Sequence, residues 1–431
     1  MEQRTSVGLI RGLRRWDLIA VAINGIIGAG IFRLPAEAYG KIGAYSLIAF
    51  VACALVVTLI VLCFAEVGSR YSESGGPYLY AREAFGPLIG FEVGWMMWLA
   101  RLTAFAANLI LFVDYLGFFW PAADSGLPRV AVITLVVAGL TAVNIIGIRD
   151  VALVTNLFTL AKLLPLLIFI GAGLFFLKPQ GYSFATAPTY SAFSASVLVL
   201  VYAFTGFEMA AIPAGDVNDP QRDVPIAILT AIGVVAVLYI LIQVVCIGTL
   251  PELATSQRPL ADASRHFLGA AGAAIVSGGV LLSIIPNLNV VMLAASRLPF
   301  AMAGRGELPR FLSRTHPRFH TPHFSIALTA VLMLVLTLSG TFIYAATISV
   351  ITRLFAYAAT CAALPVLRTK PDASPPLFQL KAGVAVSAVC LALIAWLLSN
   401  STLSEARDAA IAAGVGLVLY TACRLKNWMR R

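Results

Sequence analysis

The 431-residue sequence predicts an all-α polytopic membrane protein with about twelve transmembrane helices. The first observation behind this prediction is composition: 60% of the residues are hydrophobic and only 12% are charged, with a mean hydropathy of +0.91. Soluble domains are about half apolar and a quarter charged. The second observation is that the apolar residues form long runs, and the third is that two of these runs are interrupted near their middle. An ordinary soluble enzyme and a disordered chain are therefore excluded.

A membrane-spanning helix requires roughly 20 mostly apolar residues, and about twelve stretches of the chain meet this requirement. They lie near residues 17–39, 43–66, 87–119, 129–147, 151–177, 191–214, 224–250, 267–296, 323–340, 342–367, 381–399 and 408–424. The loops between them are short, so a single membrane domain is expected over residues 1–431. The first run is too long for the apolar core of a signal peptide, and we interpret it as an uncleaved membrane helix.

The net charge of +10 is explained by membrane topology. With the N-terminus placed in the cytoplasm, most of the 30 lysines and arginines fall in cytoplasmic loops and in the two termini, as the positive-inside rule requires. The excess of positive charge is therefore no evidence for a nucleic-acid partner, and none is predicted. The expected location is the cell membrane, where the chain crosses the lipid bilayer several times with cytoplasmic N- and C-termini.

The six cysteines lie in or at the ends of apolar runs, without a CxxC pair and without zinc-ligand spacing. They are expected to be free thiols, and neither a metal nor a cofactor is predicted. The spans also contain no HExxH motif, no paired catalytic carboxylates and no serine–histidine arrangement. The sequence therefore predicts a membrane protein that is not an enzyme.

Glycines cluster at mid-membrane in the first predicted helix, at Gly25, Gly28 and Gly30, and a matching interruption is expected in the sixth helix at Gly206. For the first helix alone, close packing against another helix is an alternative reason for the glycines. Two interrupted helices at corresponding positions instead favour two five-helix repeats around a site near the membrane midplane, as in secondary transporters.

The predicted repeats cover residues 17–177 and 191–367, and two further helices follow over 381–424. A helix that unwinds at mid-membrane exposes N–H groups at the start of one half and C=O groups at the end of the other. The N–H end favours a carboxylate and the C=O end favours an ammonium group. A zwitterionic α-amino acid carries both groups, so this small molecule is the predicted substrate.

Motifs along nearly the whole chain resemble those of the amino acid–polyamine–organocation (APC) transporter superfamily. They are Gly28-Ala-Gly-Ile-Phe32, Phe64-Ala-Glu-Val-Gly-Ser-Arg-Tyr71 with Ser74-Gly-Gly-Pro-Tyr-Leu-Tyr80, Phe204-Thr-Gly-Phe-Glu208, and Ala295-Ser-Arg-Leu-Pro-Phe-Ala-Met-Ala303. The resemblance implies an amino acid permease with the leucine-transporter-type fold. In that fold the first five and the next five helices are inverted repeats, the first and sixth helices are broken, and two helices are appended.

The same resemblance assigns substrate-binding residues by motif position. Backbone amides would hold the substrate carboxylate at Gly28, Ala29 and Gly30. Backbone carbonyl groups would take the α-amino group at Ile26, Tyr202, Ala203 and Thr205, beside Gly206. The rings of Tyr202 and Phe204 would help to cover the substrate. Many relatives have serine at the position of Ala29, so carboxylate recognition here would rest on backbone donors alone.

Lys162 lies in the middle of the fifth predicted helix and is a functional candidate, because a charge at mid-membrane costs at least ~2.5 kcal/mol. The resemblance implies that its ammonium takes the place of the sodium ion of sodium-coupled relatives and bridges helices one and eight. It would then couple transport to protons by gaining and losing a proton. The alternatives are a lysine that extends to the membrane interface and one fixed in a permanent salt bridge.

Arg101 and Glu208 each have two interpretations. Arg101 aligns with a wall of the substrate pocket, where it would bind a second carboxylate of an acidic substrate or pair with an internal acid such as Glu208 or Glu92. The internal pair is favoured, because an unpaired buried charge is costly when the site is empty. Glu208 either couples protonation to transport, as in some relatives, or is the structural partner of Arg101 or Arg353.

These observations predict a secondary active transporter that moves α-amino acids by alternating access, coupled to protons through Lys162, with Glu208 as a second candidate. One alternative is an exchanger of the same fold, which would trade an amino acid for an amine or for another amino acid. A further alternative is a non-transporting membrane receptor or subunit, which would bind the amino acid without flux.

Overall fold

The computed structural model describes residues 15–71, 76–147, 152–208 and 219–428, and within these ranges it consists of α-helices and short 3-10 turns without a β-strand. The first half contains α1 (Arg15–Ile26), α2 (Gly30–Ile42), α3 (Ser46–Gly68), α4 (Gly76–Phe85), α5 (Pro87–Leu116), α6 (Gly126–Ile146) and α7 (Ala152–Gly173). The second half contains α8 (Tyr190–Phe204), α9 (Pro220–Thr249), α10 (Pro259–Gly304), α11 (His323–Ser339), α12 (Phe342–Thr369), α13 (Gly383–Leu398) and α14 (Leu403–Trp428).

Each of the twelve predicted spans contains a helix. By length and composition, 7 helical segments of the described chain are long and apolar enough to cross a membrane. Four shorter apolar helices coincide with further predicted spans, at Lys162–Phe176, Tyr190–Phe204, His323–Ser339 and Gly383–Leu398. The prediction of an all-α polytopic membrane protein is therefore confirmed.

Local signals in the sequence explain where several helices begin. Pro87, Pro220 and Pro259 occupy the first turn of α5, α9 and α10, where a proline removes no helical hydrogen bond. Thr189 and Thr341 precede α8 and α12, and each side chain accepts a hydrogen bond from a backbone N–H of the first turn. These capping contacts satisfy donors that would otherwise lie unpaired at the helix ends.

Helix α4 was not predicted, because its 10 residues are too short to span a membrane. It is tied to the chain that follows α10: Arg82 Nη1 lies 2.5 Å from Glu307 Oε1, and the Tyr78 hydroxyl donates to Glu307 Oε2 at 3.1 Å. Burial, followed by the charge of Glu307, raises the pKa of Tyr78, so its hydroxyl keeps the proton that it donates. These contacts brace one end of the bundle.

Helix α5 lies at the centre of the bundle. Its most apolar stretch is 94% buried, compared with 17% for α6 and for α14, which lie at the periphery. Helix α5 packs against α10, α11 and α12, while α1 packs against α9, and α2 and α3 against α8. Helix α10 is interrupted at Gly269, whose φ is +66°, so the predicted span 267–296 is the middle of a longer, bent element. The polar side chains Arg101 and Asn108 of α5 and Asn287 of α10 face the interior, beside the two helix breaks.

Candidate functional site

The predicted break in the first helix is present. Helix α1 ends at Ile26 and α2 begins at Gly30, with residues 27–29 in a bend. Within the bend, the Gly28 N–H donates to the Ile26 carbonyl oxygen at 2.8 Å, and the Phe32 N–H donates to the Ala29 carbonyl oxygen at 3.1 Å. The helical ladder is therefore interrupted, and the first N–H groups of α2 lack partners one turn earlier in the same helix.

The predicted break at Gly206 is also present. Helix α8 ends at Phe204, Thr205 is extended with φ −74° and ψ 159°, and Gly206 has φ +107°. A side chain at Gly206 would collide with the carbonyl oxygen of Gly25 in the first helix. The two breaks are therefore in direct contact, and glycine is required there both by conformation and by space.

A second close contact joins the two breaks. A Cβ atom at Gly30 would lie 2.6 Å from the Cα atom of Ala203, which is too close for any side chain. The backbones at the start of α2 and near the end of α8 therefore touch. Since the positive end of one helix dipole meets the negative end of the other here, the pair offers donors and acceptors to one small molecule.

A cavity of about 300 Å³ lies at the junction of the breaks. Eight of the ten predicted substrate-binding residues line it: Ile26, Gly28, Ala29, Gly30, Arg101, Tyr202, Thr205 and Gly206. The other two lie outside its lining. Ala203 is behind the wall against Gly30, and the ring of Phe204 packs on Tyr239 with centroids 5.1 Å apart. The structure therefore gives Phe204 a position in the core and not over the cavity.

The cavity opens at one end of the bundle. Its lining continues past Val21 of α1 to Arg297 of α10, which is exposed. Towards the other end, the Tyr115 hydroxyl donates to the Phe32 carbonyl oxygen at 2.9 Å, and both residues are buried. The lining of the cavity thus reaches an exposed residue on the side where α1 begins, and buried residues lie on the side of α2.

Asn108 of α5 connects the two breaks and was not among the predicted binding residues. Its Oδ1 accepts the Ala29 N–H at 3.1 Å and the Tyr202 hydroxyl at 3.2 Å. Its Nδ2 donates to Asn287 Oδ1 of α10 at 2.8 Å. The available sequence signal was its position seven residues after Arg101, on the same face of the helix. The side-chain oxygen of Asn108 therefore occupies one of the donors predicted to bind a substrate carboxylate.

Lys162 of α7 is 2% exposed and lies behind the first break. Its Nζ donates to the carbonyl oxygens of Asn24 and Ile27, at 3.1 and 3.0 Å. Helix α7 also packs against α10, the eighth predicted span, but in the described part of the chain both hydrogen bonds of the ammonium go to the first helix. These hydrogen bonds belong to the helix-one side of the predicted bridge, and they hold α1 and the bend together.

Glu208 lies just after the second break and is 1% exposed. Its Oε2 accepts the Gly206 N–H at 3.0 Å and the Tyr357 hydroxyl at 2.9 Å, and its Oε1 lies 3.6 Å from Arg353 Nε. Of the two predicted ion-pair partners, Arg353 is therefore placed in contact with Glu208. Arg101 lines the cavity, where its Nη1 donates to the carbonyl oxygen of Ala294 at 3.3 Å.

Three cysteines converge outside the cavity, which the sequence did not indicate. The Sγ atoms of Cys63 (α3), Cys361 (α12) and Cys390 (α13) lie within 4.8 Å of one another, and those of Cys63 and Cys390 are 3.8 Å apart. Disulfide sulfurs are about 2.05 Å apart, so these groups are free thiols, as predicted. Cys63 and Cys390 are 327 residues apart in sequence, and nothing in their spacing indicates that they meet.

Comparison with known proteins identifies the family. A family model described as amino acid permease matches residues 13–420. The serine/threonine exchanger SteT of Bacillus subtilis (strain 168) is 31% identical over 74% of this chain and 75% of its own length. The methylthioribose transporter of that strain is 29% identical, over 76% and 75% of the two chains, and the branched-chain amino acid permease BcaP is 28% identical, over 73% and 72%. The chain belongs to the amino acid permease family of the APC superfamily of membrane transporters.

Proposed function

We propose that this protein carries zwitterionic α-amino acids across the cell membrane by alternating access, and that substrate binds in the cavity between the two helix breaks. The contact of Gly206 with Gly25 carries this proposal, because it brings the free ends of two half-helices to one small space. The names of SteT and BcaP, which describe amino acid transport, support the same substrate class. With cytoplasmic termini, the open end of the cavity would face the cytoplasm.

The substrate carboxylate is expected just before and at the start of α2, at the amides of Ala29 and Gly30, because the N–H of Gly28 already donates to the Ile26 carbonyl oxygen. It would displace the side-chain oxygen of Asn108 from the Ala29 N–H, and the carboxylate would accept that hydrogen bond in its place. In the empty site the side chain of Asn108 therefore satisfies the buried Ala29 N–H, so that no unpaired donor destabilises the substrate-free protein.

The α-amino group is expected at the carbonyl groups that end α8. Of the predicted acceptors, the Ile26 oxygen already accepts from the Gly28 N–H and the Tyr239 hydroxyl, and the Tyr202 oxygen accepts from Thr205. The carbonyl group of Thr205 follows the end of α8, where helical donors end, and Thr205 lines the cavity, whereas Ala203 lies behind the wall. We therefore assign the amino group to Thr205 in preference to Ile26, Tyr202 and Ala203.

Proton coupling is assigned to Lys162. The charged residues of the helices that pack against α7 lie near their ends: Arg15 and Asp17 in α1, Arg222 and Asp223 in α9, and Asp262, Arg265, His266 and Arg297 in α10. The ammonium is thus held by neutral carbonyl groups, and loss of its proton weakens the tether to α1 without leaving a countercharge alone. For Glu208 the contact with Arg353 supports the structural alternative.

An uptake assay with the purified full-length chain in proteoliposomes tests the proposal. We expect accumulation of at least one α-amino acid, driven by a proton gradient. The variant Gly30→Ala should lose most of this uptake, since its Cβ would separate the two breaks, whereas Gly139→Ala in α6 meets no atom within 4 Å and should transport normally. Binding without flux would instead identify a receptor, and equal loss in both glycine variants would contradict the site.

Exchange is the second candidate function, because the SteT relative is named an exchanger. Counterflow distinguishes it: proteoliposomes loaded with unlabelled amino acid would take up labelled amino acid without a pH gradient, and unloaded ones would not respond to the gradient. That result would favour exchange and remove the coupling role of Lys162.

A further inference from the structure

Three buried thiols meet where α3, α12 and α13 pack together, and none of them lines the cavity between the helix breaks. Cys63, Cys361 and Cys390 are each 0% exposed and belong to the hydrophobic core. Their Sγ atoms lie within 4.8 Å of one another, and those of Cys63 and Cys390 are 3.8 Å apart. Among the described residues, no other group of three histidine, cysteine or acidic side chains brings its ligand atoms this close together.

The three sulfurs have the spacing of a metal site. For atoms at these separations, a point equidistant from all three lies about 2.2–2.6 Å from each, and a metal–thiolate bond is about 2.3 Å long. The Ser387 hydroxyl donates to the Cys361 carbonyl oxygen at 2.7 Å, which fixes α13 against α12 close to Cys390. The thiols can therefore take up an ion with little movement of the backbone.

The number of ligands limits the choice of metal. In the described part of the chain, no fourth cysteine, histidine or carboxylate ligand lies beside the three sulfurs. Glu66 follows Cys63 by three residues, but each of its carboxylate oxygens accepts from Arg368 at 2.7 Å, and one also accepts the Leu380 N–H at 2.9 Å. Zinc is bound tetrahedrally by four groups, and a water molecule as the fourth is unfavourable in a hydrophobic core. Three soft sulfur ligands instead suit monovalent copper.

We propose that Cys63, Cys361 and Cys390 form a binding site for a soft monovalent metal ion, Cu(I). A single positive charge suits the core, because release of one thiol proton makes the complex of the ion and the three cysteines neutral. Access requires local opening of α13, which lies at the edge of the bundle, where Val384 and Val389 are 52% and 49% exposed. The site is separate from the proposed transport function and does not depend on it.

Copper binding to the full-length protein tests this inference. The protein in detergent, kept free of oxygen with a reductant that contains no thiol, is titrated with Cu(I) against a chromophoric Cu(I) chelator. X-ray absorption then counts the sulfur ligands of the bound ion. The background variant Cys53→Ala/Cys246→Ala/Cys423→Ala removes the other three cysteines and keeps the site. We expect it to bind one ion per chain, with three sulfurs at about 2.3 Å, and to show a higher Tm with Cu(I) than without it.

Single alanine variants in that background localise the site. Cys63→Ala, Cys361→Ala and Cys390→Ala each remove one sulfur and keep the core apolar, and each should weaken Cu(I) binding at least about tenfold. In the natural sequence, Cys53→Ala is the matched control for Cys63→Ala. It removes a buried cysteine of the same helix that lies outside the cluster, and it should bind Cu(I) as the natural protein does.

Each result supports or overturns the site. Three sulfur ligands in the background variant, with weaker binding in the three alanine variants, would support it. Absence of binding, a two-sulfur ion, or equal affinity after removal of any one cluster cysteine would overturn the assignment of three ligands. Where the background variant yields too little folded protein, the same titration decides by comparison of Cys63→Ala with Cys53→Ala in the natural sequence.

Discussion

Lys162 and Glu208 are buried charges that lie behind the two helix breaks, and the protein compensates them in different ways. The ammonium of Lys162 is held by neutral carbonyl groups of the first helix. The carboxylate of Glu208 is held by a countercharge, the guanidinium of Arg353, and by two hydrogen bonds. When a buried side chain loses its charge, neighbouring carbonyl dipoles lose only a hydrogen bond. A countercharge, in contrast, becomes an unpaired buried charge. This difference is the reason why we propose Lys162, and not Glu208, as the residue that exchanges protons.

Removal of the Glu208 carboxylate is expected to have the largest effect. In Glu208→Ala the buried Arg353 loses its ion-pair partner, and breaking a buried pair from one side costs about 3–5 kcal/mol. The expected result is a marked fall in Tm and in the yield of monodisperse protein in detergent. The double variant Glu208→Ala/Arg353→Met removes both charges and should recover part of the loss. A Glu208→Ala protein as stable as the natural one would contradict the structural role.

Substitution of Lys162 should change coupling more than stability. Lys162→Met leaves no countercharge alone, and two carbonyl groups lose a donor at a cost of about 1–3 kcal/mol. We expect the variant to fold and bind substrate while its uptake in proteoliposomes no longer follows the pH gradient. Lys162→Arg keeps a permanent charge and should bind substrate but accumulate little, since arginine does not release its proton. An unchanged pH profile in both variants would remove Lys162 from the coupling mechanism.

How far the sequence predicted the molecule depends on whether a feature is local. The two breaks were predictable at Gly28, Gly30 and Gly206, because glycines at mid-membrane are a local signal. The resemblance implied that Lys162 contacts helix one, but its two acceptor atoms were not predictable, since they depend on how α7 packs against a helix more than a hundred residues earlier. Helix α4 was missed because a short helix outside the membrane has no run of apolar residues to reveal it.

Within the site, too, the contacts of individual side chains depend on tertiary packing and were not predictable from local sequence. The sequence offered Glu208 two arginines, and only tertiary packing places Arg353 against it while Arg101 lines the cavity. Asn108 was visible as a polar residue on the face of Arg101, but its contact with the Ala29 N–H requires the broken helix to lie beside α5. Phe204, which motif position placed over the substrate, packs on Tyr239 because α8 turns that ring towards α9.

The variants Tyr357→Phe and Tyr239→Phe compare a hydrogen bond to a charged acceptor with a hydrogen bond to a neutral acceptor. Their effects are expected to be the smallest. The Tyr357 hydroxyl donates to Glu208 Oε2 at 2.9 Å, and the Tyr239 hydroxyl donates to the Ile26 carbonyl oxygen beside the first break at 3.2 Å. A hydrogen bond to a charged group contributes about 1.5–3 kcal/mol and one between neutral groups about 0.5–1.5 kcal/mol. Each phenylalanine variant removes one buried hydroxyl and no ring, so packing is nearly constant. Tyr357→Phe should therefore lower the Tm more than Tyr239→Phe, and the reverse order would mean that Glu208 does not act as an ionised acceptor at this position.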